Sequence, residues 1–89
     1  MRKWNFCAGP AVISEEVLSE VRDELLDYKN SGTSIIEMSH RSETYSKIAY
    51  EAKEDLIDLL HIPKNYDVLF LQGGATHQFS MIPMNFKNL

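Results

Sequence analysis

The stretch VLFLQGGATHQF, residues 68–79, has the residue types of an anion-binding turn. Four apolar residues run without a break into Gly73 and Gly74, and apolar residues at helical spacing resume after Thr76. A strand, a tight turn and a helix N-terminus would bring free backbone N–H groups together, and the helix dipole would strengthen their attraction for an anion. Because glycine carries no Cβ, a ligand can approach the backbone closely there. This stretch therefore predicts phosphate binding, with the Thr76 hydroxyl as a further donor.

Known nucleotide motifs do not fit this turn. No Gly-Lys-Ser/Thr follows the glycines and the G-x-G-x-x-G spacing is not met, so the sequence does not predict a site for the phosphates of ATP or NAD. Gly-Gly is also a common turn pair, and a hairpin or a compact turn without a ligand is the alternative interpretation.

A second candidate is the segment SHRS, residues 39–42, which places His40 and Arg41 directly before Ser42, the predicted N-cap of a helix. Cations beside a helix N-terminus oppose its dipole at a cost of about 0.3–1 kcal/mol, and such local violations are expected at functional sites. The planar fork of arginine suits a carboxylate or a phosphate. The pair is therefore predicted to attract an anion, and the alternative is a solvated pair or a structural salt bridge.

A third candidate is NFCAGP, residues 5–10, where Gly9-Pro10 forces a turn after small residues. Its backbone is open to a ligand, although a turn without a ligand is the simpler interpretation. Cys7 has no histidine near it in the sequence, so we do not predict a nucleophile there. No metal site is predicted anywhere in the chain.

Helices must position these segments. We predict a first helix over 15–29, with Ser14 as its N-cap and Gly32 as the left-handed residue that follows its end. A short extended segment over 33–39 comes next, and a second helix then runs from Ser42 until Pro63 closes it. The predicted buried face of the first helix consists of Val17, Leu18, Val21, Leu25 and Tyr28.

The segment YDVLFL, residues 66–71, is predicted to be a strand. Its run of four apolar residues lacks alternation, which is typical of a strand buried on both faces in a parallel sheet. Such a strand needs neighbours on both edges, and only the weak 33–39 segment is available. We therefore expect the 89 residues to be the opening part of a larger α/β protein.

Composition excludes several classes of function. Hydrophobic residues make up 44% and charged residues 25%, as in an ordinary globular chain. The net charge of −4 and the lack of a basic run argue against nucleic-acid binding, and no segment is long and apolar enough to span a membrane. A single cysteine makes a reducing, cytoplasmic setting the simplest expectation.

Three segments together, NFCAGPAVISEEVL, GTSIIEMSHRSETY and VLFLQGGATHQFSMIPMN, resemble the N-terminal part of the phosphoserine aminotransferases. These are pyridoxal-phosphate enzymes of fold type I, and the similarity runs in the same order through nearly the whole chain. The resemblance implies an α/β fold with a mixed, mostly parallel sheet and helices on both faces. Residues 1–89 would form an N-terminal arm and two helices that lead into the first strand and helix of the large cofactor-binding domain.

The resemblance also implies a reaction and its site residues. The family transfers the amino group of L-glutamate to 3-phosphohydroxypyruvate, giving phosphoserine for serine biosynthesis, and also serves pyridoxine biosynthesis. Gly74, Ala75 and Thr76 match the turn that holds the phosphate of pyridoxal 5'-phosphate. His40 and Arg41 match the pair that binds the distal anion of the substrate. The position of Ala8, in the AGP turn, contacts the amino-acid substrate through its backbone in the family.

Other parts of the family's machinery have no match here. The lysine that forms a Schiff base with the cofactor, the aromatic residue that stacks on its ring and the aspartate that pairs with its nitrogen lie beyond residue 89 in the family. We therefore expect this piece alone to be inactive and to need the remainder of the polypeptide, in a homodimer. Two alternatives are another fold type I aminotransferase or desulfurase, and a noncatalytic phosphate-binding module.

Overall fold

The computed structural model describes residues 1–88. They form two compact units, one over Met1–Ala52 and one from Lys53 onward, and each is described by itself. Three α-helices, α1 (Glu15–Glu24), α2 (Glu43–Leu59) and α3 (Gly74–Phe86), are joined by irregular segments and two short 3-10 turns. None of the helices in this part of the chain has the length and apolar character that a bilayer crossing requires.

Helix α1 begins where the sequence predicts. The Ser14 side-chain oxygen accepts the Val17 backbone N–H at 3.3 Å, and two glutamates occupy the first turn, where the helix dipole favours negative charge. The helix ends at Glu24, earlier than the predicted residue 29. The prediction of one helix over 15–29 was therefore wrong at its C-terminal end.

An aspartate-centred turn replaces the last part of the predicted first helix. The Asp27 carboxylate accepts the backbone N–H of Gly32 at 2.8 Å, and the Tyr28 N–H donates to the Thr33 carbonyl at 2.9 Å. Lys29 adopts positive φ inside the 3-10 turn Tyr28–Asn30. Gly32 has a φ of +80°, as predicted for a left-handed residue, but it closes this turn and does not follow the end of α1.

The predicted extended segment over 33–39 contains a 3-10 turn, Ile35–Glu37. Ser34 and Glu37 form a capping box: the serine oxygen accepts the Ile36 N–H at 3.4 Å, and the Glu37 carboxylate accepts the Ser34 N–H at 3.1 Å. The sequence TSIIEMS is rich in β-branched residues, but no neighbouring strand is available for pairing within residues 1–88. Local capping wins over β-propensity, so the extended prediction was wrong.

Helix α2 begins after Ser42, as predicted. The Ser42 side-chain oxygen accepts the Tyr45 N–H at 3.1 Å, and its carbonyl accepts the Ser46 N–H at 3.0 Å. The helix ends at Leu59, and His61, two residues before Pro63, has positive φ.

The predicted strand over 66–71 is not formed in the described residues. Its large apolar side chains are exposed instead: Leu69 by 70%, Phe70 by 60% and Leu71 by 58%. A strand needs a partner to satisfy its backbone groups, and no other strand is present in the part of the chain that the structure describes. The parallel sheet expected around this segment is therefore absent from residues 1–88.

Helix α3 begins at Gly74, the second of the two glycines, and the predicted helix N-terminus is therefore formed at this turn. It carries Pro83 in its interior, which removes the N–H that would donate to the Phe79 carbonyl. The Asn85 side-chain amide donates to the Met81 carbonyl at 2.7 Å and so uses an oxygen near the end of the helix.

No apolar side chain is buried among residues 1–88, and Ser34 is the one buried polar residue there. The predicted buried face of α1 is exposed as well, with Val17 exposed by 47% and Val21 by 51%. Burial of apolar surface is the dominant favourable contribution to folding. These residues therefore lack the main source of tertiary stability on their own.

We predict that the 89 residues alone do not form a stable monomer, because their apolar side chains stay in water. A dilute sample should show a broad, weakly cooperative thermal change by circular dichroism, or should associate in sedimentation velocity. A sharp two-state transition of a demonstrated monomer would contradict this prediction.

Candidate functional site

The first turn of α3 presents free backbone amides. Gly73 is its N-cap, with φ +98° and ψ −4°, and supplies no side chain to accept a hydrogen bond. The His77 N–H donates to the Gly73 carbonyl at 3.3 Å, which is the first bond of the helix. The N–H groups of Gly74, Ala75 and Thr76 therefore precede the helical ladder and have no intrahelical acceptor.

In the other two helices, a serine side chain accepts a backbone N–H of the first turn. Ser14 caps α1 and Ser42 caps α2, each with a side-chain oxygen that accepts an N–H of the first turn. Of the three helices in residues 1–88, only α3 has an N-cap residue, Gly73, without a side-chain acceptor. Its N-terminus combines unpaired donors with the positive end of the helix dipole, and this combination attracts an anion such as phosphate.

The space beside the two glycines differs. Gly74 has a φ of +59°, and a Cβ built on it would meet no atom within 4 Å. A Cβ built on Gly73 would collide with the ring and the Cβ of His77. The backbone is therefore open to a ligand at Gly74, whereas the His77 side chain occupies the space beside Gly73.

The predicted cationic pair His40 and Arg41 lies in a turn that leads into α2. The Ser39 side-chain oxygen accepts the Arg41 backbone N–H at 3.1 Å, and the Ser39 carbonyl accepts the Ser42 N–H at 3.0 Å. Both side chains are exposed. Within residues 1–88 neither forms a salt bridge, so the alternative of a structural ion pair finds no support there.

The loop that carries Ala8 is organised by Asn5. The Asn5 carboxamide oxygen accepts the Cys7 N–H at 3.1 Å, its amide nitrogen donates to the Pro10 carbonyl at 3.2 Å, and its backbone carbonyl accepts the Val12 N–H at 2.9 Å. A structural role of Asn5 was not predicted from the sequence. An asparagine shortly before Gly-Pro is a signal for this arrangement, because its side chain accepts the backbone N–H two residues on.

The structure places the predicted site residues in both units. Ala8, His40 and Arg41 lie in the first unit, and Gly74, Ala75 and Thr76 lie in the second. In the first unit, no hydrogen bond between described residues joins the Ala8 loop to residues 39–42. Each segment is therefore held by its own local bonds.

A groove of about 350 Å³ in the first unit, lined in part by Lys29 and Lys47, is a weaker candidate for an anion site. The pKa of Lys29 is raised above its usual 10.5, mainly by the neighbouring Tyr28 side chain, whose ring centroid lies 5.3 Å from the Lys29 ammonium nitrogen. Glu43 and Glu51 also line the groove, and their negative charge offsets that of the lysines. No group of three metal-binding side chains is found in the part of the chain that the structure describes.

Comparison with known proteins gives one consistent result. The family model for aminotransferase class-V matches residues 3–89. Phosphoserine aminotransferase of Lactococcus lactis subsp. lactis is 57% identical over 82 residues, which cover 92% of this chain and 22% of that protein. These findings confirm the resemblance to phosphoserine aminotransferases that the sequence motifs indicated.

Solved structures agree. Phosphoserine aminotransferase from Bacillus circulans subsp. alkalophilus has 51% sequence identity and a TM-score of 0.84 over 93% of this chain and 23% of its own. The PLP-bound phosphoserine aminotransferase of Trichomonas vaginalis has 46% identity and a TM-score of 0.87 over 96% of this chain and 23% of its own. The chain spans less than a quarter of the length of these relatives, and it adopts the fold of the matching segment.

The different surroundings of the two glycines lead to a prediction about stability. We consider a chimera in which residues 1–89 replace the matching segment of the Lactococcus lactis relative. Gly74→Ala should cost about 1–2 kcal/mol because alanine disfavours positive φ. Gly73→Ala should cost about 1–3 kcal/mol more, since its Cβ would also collide with the His77 ring and Cβ, and a change of the His77 rotamer relieves only the contact with the ring. Urea unfolding of the chimera, in its cofactor-free form, measures both costs.

His77→Gly is the matched background for this comparison. It removes both the ring and the Cβ that a Cβ on Gly73 would meet, so the extra cost of Gly73→Ala should disappear while the cost of Gly74→Ala stays. An extra cost that survives His77→Gly would show that the contact with His77 does not restrict Gly73.

Proposed function

The chain belongs to the aminotransferase class-V family, and from that membership we propose that it supplies the N-terminal part of a phosphoserine aminotransferase. The proposed reaction moves the amino group of L-glutamate to 3-phosphohydroxypyruvate and gives O-phospho-L-serine and 2-oxoglutarate, a step of serine biosynthesis. The related phosphorylated precursor of pyridoxine is a second proposed substrate. The observation that carries this proposal is the uncapped, glycine-lined N-terminus of α3 in a chain 57% identical to such an enzyme.

Pyridoxal 5'-phosphate is the proposed cofactor, and the first turn of α3 fits its phosphate. Three amides there lack an intrahelical acceptor, and the space beside Gly74 is open. Gly74, Ala75 and Thr76 would donate to the phosphate oxygens, with the Thr76 hydroxyl as an additional donor. When bound, pyridoxal phosphate carries the amino group from one substrate to the other.

Substrate binding is assigned to the first unit. We propose that the Arg41 guanidinium holds the distal anion of the substrate in a bidentate contact and that His40 lies beside it. Glutamate's side-chain carboxylate and phosphoserine's phosphate lie at comparable distances from the amino group, so one arginine fork can serve both. The backbone at Ala8 would contact the amino-acid part of the substrate.

The rest of the proposed enzyme lies outside these residues. The remaining polypeptide would supply the lysine that bonds the cofactor, the groups around its ring and the strands that pair with residues 66–71 in a mixed, mostly parallel sheet. A homodimer in the cytoplasm is the proposed assembly. The exposed apolar side chains of Leu69, Phe70 and Leu71 support the proposed pairing of residues 66–71 with strands of the remaining polypeptide, which would cover them.

Amino transfer by the full-length enzyme, in which residues 1–89 are followed by the remainder of the polypeptide, tests the proposed function. Glutamate and 3-phosphohydroxypyruvate should give phosphoserine and 2-oxoglutarate, whereas cysteine should release no sulfide. Sulfide release from cysteine would favour a desulfurase, and a lack of both reactions in a cofactor-loaded protein would favour a noncatalytic phosphate-binding module.

Gly74→Val should weaken cofactor retention more than it weakens folding. A β-branched side chain would occupy the open space beside the turn and would disfavour the φ of +59°. Pyridoxal-phosphate content after dialysis, measured beside the melting temperature of the cofactor-free enzyme, separates the two effects.

Gly32→Val is the matched control for this experiment. Gly32 also has positive φ, +80°, and open space beside it, but it lies in the turn after α1. It should lower the melting temperature to a similar extent and leave cofactor content unchanged. Equal loss of cofactor in both variants would show that the turn at Gly74 is only structural.

Arg41→Ala should slow transfer from glutamate. The variant removes a charge-assisted contact, which should cost about 2–4 kcal/mol of transition-state binding, and Arg41→Lys should lose less because it keeps the charge without the fork. Alanine as amino donor has no distal anion, so its poor rate should hardly change. The measurement is kcat/KM for both donors.

Cofactor content is the control for the arginine variants, and it should match that of the unmodified enzyme. If Arg41→Ala slowed alanine and glutamate by the same factor, the residue would support the fold or the cofactor, and its assignment to substrate recognition would be wrong.

A further inference from the structure

We propose that Ser39 is a positioning residue, which fixes the backbone at Arg41 and thereby directs the guanidinium toward the distal anion of the substrate. The inference rests on the proposed function, because it assumes that Arg41 recognises that anion. It adds to the proposal a residue that itself contacts neither substrate nor cofactor.

Two hydrogen bonds carry the inference. The Ser39 side-chain oxygen accepts the Arg41 backbone N–H at 3.1 Å, and the Ser39 carbonyl accepts the Ser42 N–H at 3.0 Å. Together they close a turn with His40 and Arg41 at its two central positions. Serine side chains stabilise such turns by accepting the backbone N–H two residues on.

The turn has firm attachments on both sides. Before it, the capping box of Ser34 and Glu37 holds the short 3-10 turn, and after it, Ser42 caps α2. Between the capping box and the cap of α2, the Ser39 hydroxyl supplies the side-chain bond that restrains the backbone of Arg41. Because the arginine side chain is long, a small change in the backbone dihedral angles of Arg41 would displace the guanidinium by a large distance.

Other restraints on Arg41 are weak in the described residues. Its side chain is exposed and forms no salt bridge within residues 1–88, and no apolar side chain is buried there to hold the segment by packing. Orientation of the guanidinium before substrate binding therefore depends on the local bonds. If the guanidinium is already oriented before the substrate binds, less conformational entropy is lost on binding.

Ser39→Ala in the full-length enzyme is the direct test. Loss of one hydrogen bond should raise the KM for glutamate about fivefold. The value of kcat should change little, because the chemical groups are intact. Alanine as donor should be unaffected, since it has no distal anion for the guanidinium to hold.

Two further variants separate positioning from general stability. Ser39→Thr keeps the hydroxyl acceptor and should restore most of the lost glutamate binding. Ser14→Ala removes the same kind of bond, from the Val17 N–H to a serine oxygen, at the start of α1. It should lower the melting temperature while leaving the ratio of glutamate to alanine activity unchanged.

Measurement of Arg41→Ala beside these variants distinguishes the two hypotheses. If Arg41→Ala impairs glutamate selectively but Ser39→Ala does not, or Ser39→Thr fails to restore binding, the positioning role is overturned and the proposed function stands. If Arg41→Ala slows both donors equally, the recognition role of Arg41 fails, and the role of Ser39 fails with it. Selective loss in both variants, with rescue by threonine, is the expected result.

Discussion

The N–H groups at the start of a helix need an acceptor, and the way each helix meets this need organises the chain. Ser14 and Ser42 supply a side-chain oxygen to α1 and α2, and Ser34 does the same for a 3-10 turn. Gly73 supplies none to α3. The unmet requirement at α3 is an unfavourable arrangement for a helix on its own, and it becomes favourable when a phosphate takes the place of the missing cap.

Local hydrogen bonds also hold the proposed substrate-binding segments, since no apolar side chain is buried within residues 1–88 to hold them by packing. Asn5 organises the loop of Ala8, and Ser39 organises the turn of Arg41. Apolar side chains such as Phe70 and Phe79 remain in water within residues 1–88, exposed by 60% and 81%. Local hydrogen bonds thus define the backbone of each proposed contact, while the proposed remainder of the enzyme would bring the contacts together and cover the apolar surface.

Features that depend on a few neighbouring residues could be predicted from the sequence. The caps Ser14 and Ser42 and the helix N-terminus at the glycine turn were predicted correctly, because each depends on groups within four residues. The strand predicted over 66–71 is not formed in residues 1–88, because a strand depends on partners distant in the chain, which local rules do not include. The first helix was predicted too long because the acceptor role of Asp27 toward Gly32 was not recognised.

The candidate site shows the same division. Glycines at a helix start and a His-Arg pair before an N-cap led to the prediction that both segments bind anions, and the resemblance to phosphoserine aminotransferases then gave each a proposed ligand. The roles of Ser39 and Asn5 were not predicted from the sequence. Each side chain accepts a nearby backbone N–H, and a serine or an asparagine in a loop can form many other hydrogen bonds. Hydrogen-bond geometry was needed to distinguish these roles.

A crystal structure of the full-length enzyme with pyridoxal phosphate would test the central claim most directly. We expect cofactor phosphate oxygens within about 2.7–3.2 Å of the backbone nitrogens at the first turn of α3, with Ala75 and Thr76 among the donors. A cofactor whose phosphate is bound by other elements, with a serine, a water or a side chain of the remaining polypeptide capping α3 instead, would contradict it.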